Sequence, residues 1–321
     1  MITQIVLVIV GLLMLLTSGE LLVRGAVDLA RALKVPALIV SLTIVAFGTS
    51  APEIVVSIQA VLNGSSGIAL GNIIGSNIAN ILMVLGIPAI IYPISSHVPG
   101  LRPHALTMIA ATLIFSFFAY SNGAINFLFG AILFAALLCY LGFVLVDTLR
   151  GGGENPVLDQ VEDYSDADSG LQALTIVFLI VGLIGLPLGA HILVTNGSEI
   201  AAQIGIRDAI IGLTIVAFGT SLPELATVFS AALKKKSDVA IGSIVGSNIF
   251  NLLAVGGVTG LFGGAKFDAA SLQFDLPVMI VASLVLVLFV VTQRNIGRLT
   301  GILMTAGYIA FIFWLASGSL A

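Results

Sequence analysis

Apolar runs broken by short polar stretches set the rhythm of the chain. Ten of them are close to the about 20 mostly apolar residues that a helix needs to cross a bilayer, at roughly 2–30, 36–62, 68–92, 104–120, 123–148, 171–203, 209–233, 239–263, 274–293 and 297–318. Connections such as 63–67 and 120–123 hold only a few residues, so consecutive helices are antiparallel neighbours. The one long connection, 150–170, is rich in Gly, Asp and Glu and leaves five spans on either side. The expected units are therefore a five-helix repeat over 1–149, a linker over 150–170 and a second five-helix repeat over 171–321.

The two halves are copies. Shifting the chain by 171 residues aligns 43–80 with 214–251 without a gap, with 21 identities in 38 positions. An odd number of spans in each copy makes the second enter the membrane from the opposite side, which gives inverted repeats about an axis in the membrane plane. The same register pairs the first run with 171–203. That run resembles a signal peptide, but no Lys or Arg precedes Arg24, so it lacks the positive n-region and reads as the first membrane helix. The expected fold is an all-α polytopic membrane protein whose ten transmembrane helices form two inverted five-helix repeats, with broken helices at the midplane.

The breaks come from a stretch the chain repeats: Ala46-Phe47-Gly48-Thr49-Ser50-Ala51-Pro52-Glu53 returns as Ala217-Phe218-Gly219-Thr220-Ser221-Leu222-Pro223-Glu224. A proline has no N–H and its ring clashes with the carbonyl four residues back, so each helix should break near Gly48 to Ala51 or its counterpart and free backbone carbonyls there. A carboxylate at mid-bilayer costs about 3 kcal/mol or more unless paired or solvated, so Glu53 and Glu224 are functional candidates. The symmetry brings them together. With Thr49, Ser50, Thr220 and Ser221 at the same level, the donors are all hard oxygens, which suit sodium, calcium or magnesium and not zinc or copper.

Composition agrees and narrows the choice. Hydrophobic residues make up 59% and charged ones 9%, far from the charged share of about 25% in soluble domains. One cysteine, Cys139, and three scattered histidines, His97, His104 and His191, rule out a disulfide framework and a soft-metal site. Cys139 reads as a packing residue in an apolar run. The net charge of −4 owes much to six acids between Glu154 and Asp168, and no basic face for nucleic acid exists. Asp163 opens a stretch like a calcium loop but lacks the loop's fifth ligand, sixth-position glycine and closing glutamate, so 150–170 reads as a solvated linker.

Arg31, Lys34, Arg102, Arg150, Lys234, Lys235, Lys236, Arg294 and Arg298 follow odd-numbered spans, against Arg207 and Lys266 on the other side. The positive-inside rule then puts both termini outside, extracellular or periplasmic, and the acidic linker in the cytoplasm. Glu20, Arg24 and Asp28 form a charge cluster near the cytoplasmic end of the first helix. Trp314 is expected to anchor the last helix at the membrane interface.

A second signature follows one helix later in each repeat: Gly71-Asn72-Ile73-Ile74-Gly75-Ser76-Asn77-Ile78-Ala79-Asn80, matched by Gly242-Ser243-Ile244-Val245-Gly246-Ser247-Asn248-Ile249-Phe250-Asn251. The glycine pairs are spaced for close helix approach. Ser76 with Asn80, and Ser247 with Asn251, project oxygens from one helical face towards the broken helix.

Together these motifs resemble the two α-repeats of the cation/calcium exchanger superfamily, most closely its prokaryotic sodium/calcium exchangers, over nearly the whole chain. The resemblance implies an antiporter of the cell membrane, with no cofactor and no obligate protein partner, whose substrates are Ca²⁺ and Na⁺. It implies that Glu53 and Glu224 are the central calcium ligands, helped by backbone carbonyls near Thr49 and Thr220. Ser50, Ser221, Ser76 and Ser247, with carbonyls near Ala46 and Ala217, would form flanking sodium sites, and Asn80 and Asn251 would complete the middle. Potassium-dependent members and some archaeal exchangers have an aspartate where this chain has Asn251, which argues against potassium coupling.

Two carboxylates carry −2, so one Ca²⁺ neutralises them while three Na⁺ leave +1, and 3:1 exchange would be electrogenic. Empty, they repel each other in a low dielectric and invite protonation, so proton/calcium antiport, or antiport of another divalent cation, is the alternative. An intramembrane hydrolase would need an activated nucleophile, yet neither duplicated segment carries a His beside its serines. A channel usually surrounds its pore with identical subunits, whereas inverted repeats with broken helices suit alternating access.

Overall fold

The computed structural model describes residues 2–62, 64, 66–150, 173–203 and 221–318. The linker expected over 150–170 falls outside these residues apart from Arg150, and so do 204–220, which include the start of the span expected over 209–233.

Helix α1 (Ile2–Leu33) ends as Lys34 turns left-handed at φ 55°. Val35 N–H then reaches back to the Ala30 carbonyl at 2.9 Å, and Pro36, with no N–H to donate, opens the next span. That span is a string of pieces: α2 (Ala37–Val40), a π turn over Ser41–Val45, α3 (Ala46–Thr49), an interruption at Ser50 and α4 (Ala51–Leu62). The third span joins α5 (Ser66–Ala79) to α6 (Gly86–Ile91) through a π turn over Asn80–Val84. Helices α7 (Leu101–Asn122) and α8 (Phe127–Arg150) flank the short strand β1 (Ala124–Ile125) and complete the first repeat.

The second repeat begins with α9 (Ala173–Gln203), followed by α10 (Leu222–Leu233). Then come α11 (Ser237–Phe250), a π turn over Asn251–Val255 and α12 (Gly256–Leu261). Strand β2 (Ala265–Lys266), a π turn over Ser271–Asp275, α13 (Leu276–Thr292) and α14 (Arg298–Gly318) complete it. Counting each string of pieces as one span, nine helices among the described residues are long and apolar enough to cross a membrane, and α10 is a shorter apolar helix. The fifth span starts at Phe127 and not at residue 123, because Ala124 and Ile125 pair with Lys266 and Ala265 in an antiparallel ladder.

Contacts between the halves obey a two-fold rule. Ile125 pairs with Ala265 and Ile94 with Ile296; in the 171-residue register Ile94 matches Ala265 and Ile125 matches Ile296, so each pair is the other with its halves exchanged. The glycines repeat the pattern. A Cβ at Gly130 would lie 2.7 Å from the Gly257 carbonyl oxygen, and one at Gly301 would lie 2.6 Å from that of Gly86, where Gly86 matches Gly257 and Gly130 matches Gly301. At the axis a residue meets its own counterpart, as the Thr112 hydroxyl donates to the Ser283 hydroxyl at 3.4 Å. This reciprocity is the mark of a self-complementary two-fold interface.

Helices α1 and α9 lie at the edge, with many side chains turned outward, whereas every residue from 239 to 257 is buried. A helix buried on all sides can approach its neighbours closely only where its side chains are small. Gly246 meets that need: a Cβ there would sit 2.6 Å from the Leu42 carbonyl oxygen and 2.7 Å from the Ala46 Cβ, so α11 lies backbone to backbone against the broken span of the other repeat. Gly71 and Gly75 meet no described residue within 4 Å of such a Cβ; their symmetric neighbours fall in 204–220. Leu12, Leu13, Phe117, Leu145 and Phe313 cover the outer, lipid-facing surface. Cys139 is exposed there too, so it faces outward instead of packing inside as its apolar run suggests. Trp314 tilts against Phe274 with ring centroids 4.9 Å apart.

Candidate ion-binding site

The serine of the repeated stretch stands at a bend in both copies. Ser50 has φ −84° and ψ 1°, and Ser221 φ −90° and ψ 3°; the bend separates α3 from α4 in the first copy and caps the start of α10 in the second. The prolines, expected to break the helix, occupy the second position of α4 and α10, where a missing N–H removes no helical bond. Glu53 and Glu224 come next, in the first turn, where the helix N-terminus favours negative charge. The Ser50 and Ser221 carbonyls accept N–H bonds from Ile54 at 3.3 Å and Leu225 at 3.0 Å, but neither serine hydroxyl has a hydrogen-bond partner.

The carboxylates lie close enough for their charges to interact, and Glu224 lies beside the Thr49 and Ser50 side chains of the opposite repeat. Each glutamate is only 1% exposed, and none of the four carboxylate oxygens receives a hydrogen bond. Among the described residues neither pairs with a basic side chain; the ion pairs are Arg31 with Asp28 and Lys234 with Glu20, near the surface. Lys234 thus draws Glu20 out of the charge cluster expected on α1, and Arg24 stacks over Phe178.

The asparagines come from the π turns. Asn80 accepts from Leu85 N–H, and Asn251 from Gly256 N–H, each five residues on; such wide turns recur at functional sites. The Asn80 turn packs against α10 and the Asn251 turn against α4, so each repeat's asparagine meets the other repeat's glutamate helix. Asn80 Oδ1 and both amide atoms of Asn251 are buried without a partner. Buried polar groups are as a rule hydrogen-bonded. Here a concentration of unpaired oxygens on Glu53, Glu224, Asn80, Asn251, Ser50 and Ser221 makes a donor set for a hard cation. No group of three or more His, Cys, Asp or Glu occurs among the described residues, so the set relies on neutral oxygens around two charges.

The other expected residues vary in their state. The Thr49 and Ser247 hydroxyls hydrogen-bond each other at 3.3 Å. The Ala46 carbonyl accepts from Ser50 N–H at 3.0 Å and from the Thr49 hydroxyl at 3.3 Å, so it keeps less free capacity than the expected helix break implies. Ser76 is buried. Ala217 and Thr220 lie outside the described residues. Sequence reasoning passed over Asn72, whose NH₂ donates to the Glu53 backbone carbonyl at 3.1 Å and to the Ser57 hydroxyl at 3.0 Å and so ties α4 to α5. It also passed over Asn248 as a partner of Asn80. Both stand in the second motif, but their targets are tertiary.

Comparison with known proteins agrees with this architecture. A profile of the family described as sodium/calcium exchanger protein matches residues 3–146 and 174–316. The chain is 37% identical to the putative antiporter CaxA of Alkalimonas amylolytica, covering 99% of this chain and 100% of that one. It is 30% identical to the sodium/calcium exchanger MaX1 of Methanosarcina acetivorans, over 95% and 96% of the two chains. Solved structures of the sodium-calcium exchanger NCX_Mj superimpose with a TM-score of 0.83 at 32% identity, covering 96% of this chain and 97% of that one. The inverted repeats, broken helices and buried oxygen cluster thus belong to a transporter and not an enzyme, and this chain is a member of the sodium/calcium exchanger family.

Proposed function

We propose that this cation/calcium antiporter exchanges Na⁺ for Ca²⁺ by alternating access, electrogenically and without potassium, and exports Ca²⁺. Glu53 and Glu224 are its central calcium ligands, with carbonyls near Thr49 and Thr220 and the amide oxygens of Asn80 and Asn251. Sodium occupies flanking positions built from Ser50, Ser221, Ser76 and Ser247 with carbonyls near Ala46 and Ala217. The observation that carries the reading is the set of four buried carboxylate oxygens that receive no hydrogen bond and face no basic side chain among the described residues.

Burial of two charges without a protein counter-charge is costly, and one Ca²⁺ cancels both. Each unit of charge moved across the field is worth about 2.3 kcal/mol per 100 mV, so a negative interior drives 3:1 exchange towards calcium export. With amides at both Asn80 and Asn251, the site lacks the extra carboxylate that a further monovalent cation would need. The chain is divided into repeats over 1–149 and 171–321, with both termini outside and the 150–170 linker in the cytoplasm, as its loop charges direct.

The test is equilibrium binding of radioactive calcium to purified protein. Sodium should displace calcium steeply and potassium should not. Calcium binding indifferent to sodium but abolished by mild acidification would favour the proton-coupled reading, which the same unpaired carboxylates also support.

A further inference from the structure

The asparagines of the second motif make two symmetric pairs, of which one is joined. In the 171-residue register Asn80 matches Asn251 and Asn77 matches Asn248, so an exact two-fold would form two equal amide bonds between repeats. One exists: Asn80 Nδ2 donates to Asn248 Oδ1 at 3.1 Å. With its NH₂ so held, Asn80 leaves Oδ1 without a donor. Asn248 is fixed in turn, as its own NH₂ donates to Met108 Sδ at 3.7 Å.

The counterpart bond, Asn251 Nδ2 to Asn77 Oδ1, is not made. Both those atoms are buried and unpartnered, while the Asn77 NH₂ turns back to the Ile73 carbonyl of its own helix at 2.7 Å. The parts for the second pair are nevertheless present. All four asparagines are buried, and so is Met279, the counterpart of Met108.

An inverted-repeat transporter has two like halves around one site, and its opposite-facing state is the same fold with the halves' conformations exchanged. A bond present in one half-site only is therefore a difference between the two faces. We propose that Asn248 and Asn77 are alternating positioning residues. Asn248 holds the Asn80 amide oxygen towards the ions in the conformation described here, and Asn77 does the same for Asn251 in the opposite-facing one.

This inference rests on the antiport reading and is tested by sided kinetics. Calcium uptake is measured in sodium-loaded vesicles of both orientations for wild type, Asn248→Ala, Asn77→Ala, Asn80→Ala and Asn248→Ala with Asn80→Ala. Asn248→Ala should raise the half-saturating calcium concentration about tenfold at one face and less than about twofold at the other, and Asn77→Ala should do the reverse. Because Asn248 acts through Asn80, it should add nothing once Asn80 is alanine, an effect a mere packing residue would not show. Equal changes at both faces, or additive ones, would overturn the proposal. If an alanine variant does not fold, Asn248→Ser and Met108→Leu, which keeps volume and removes the sulfur acceptor, must show the same one-sided loss, and an unsided effect again overturns it. Wild-type protein that moves no calcium would instead defeat the antiport reading itself.

Discussion

Glu53 and Glu224 stand third in their half-helices, each behind a proline and a bend at serine, so the two carboxylates meet with their oxygens unspoken for. Glu→Gln at either position keeps shape and burial but removes half of the site's charge. Removing one partner of a buried ion contact costs about 3–5 kcal/mol, so calcium affinity should fall more than about a hundredfold while thermal unfolding changes little. Wild-type affinity in both single variants would remove the glutamates from the site. Ser50→Ala and Ser221→Ala delete neutral hydroxyls without a hydrogen-bond partner, and should lower apparent sodium affinity by roughly threefold to tenfold with less effect on calcium. A larger loss for calcium would reverse the assignment of these oxygens. The glutamates and serines were legible because a polar group in an apolar run stands out and the chain repeats it. Asn72 and Asn248 were not, because what an amide bonds to is decided by helices far away in sequence.

At the scale of elements, the break in the second span was legible from the proline, and the bend at Ser50 falls within the expected stretch from Gly48 to Ala51, one residue before α4 begins. The π turns at Asn80 and Asn251 left no trace in the hydrophobic pattern, since a hydrogen bond to the fifth residue instead of the fourth changes no residue type. Close approach was legible, as glycines four apart on a buried helix have few other uses. Gly246→Ala should therefore press a methyl into the Leu42 carbonyl and destabilise the protein by about 1–3 kcal/mol, visible as a lower unfolding midpoint in detergent. Gly142→Ala, on α8 with no described residue within 4 Å, should leave the midpoint unchanged or slightly raised. Equal midpoints for the two variants would refute the close packing of α11.

For the whole molecule, the duplication predicted the inverted architecture, and the exchanged pairs Ile94 with Ile296 and Ile125 with Ala265 express it. The departures from symmetry, such as the single amide bond between Asn80 and Asn248, could not be read from nearly identical motifs. In the proposed 3:1 exchange, the direction of transport follows from charge. Three Na⁺ traded for one Ca²⁺ move one positive charge per cycle, worth about 2.3 kcal/mol per 100 mV. The most direct measurement is radioactive calcium uptake into sodium-loaded vesicles at clamped potential, with potassium absent from both sides and no pH gradient. Uptake should proceed without potassium, require the outward sodium gradient, and accelerate when the interior is made positive, because the excess charge leaves with sodium. Calcium entry that ignores sodium and voltage but follows an imposed pH gradient would contradict sodium/calcium exchange through this site.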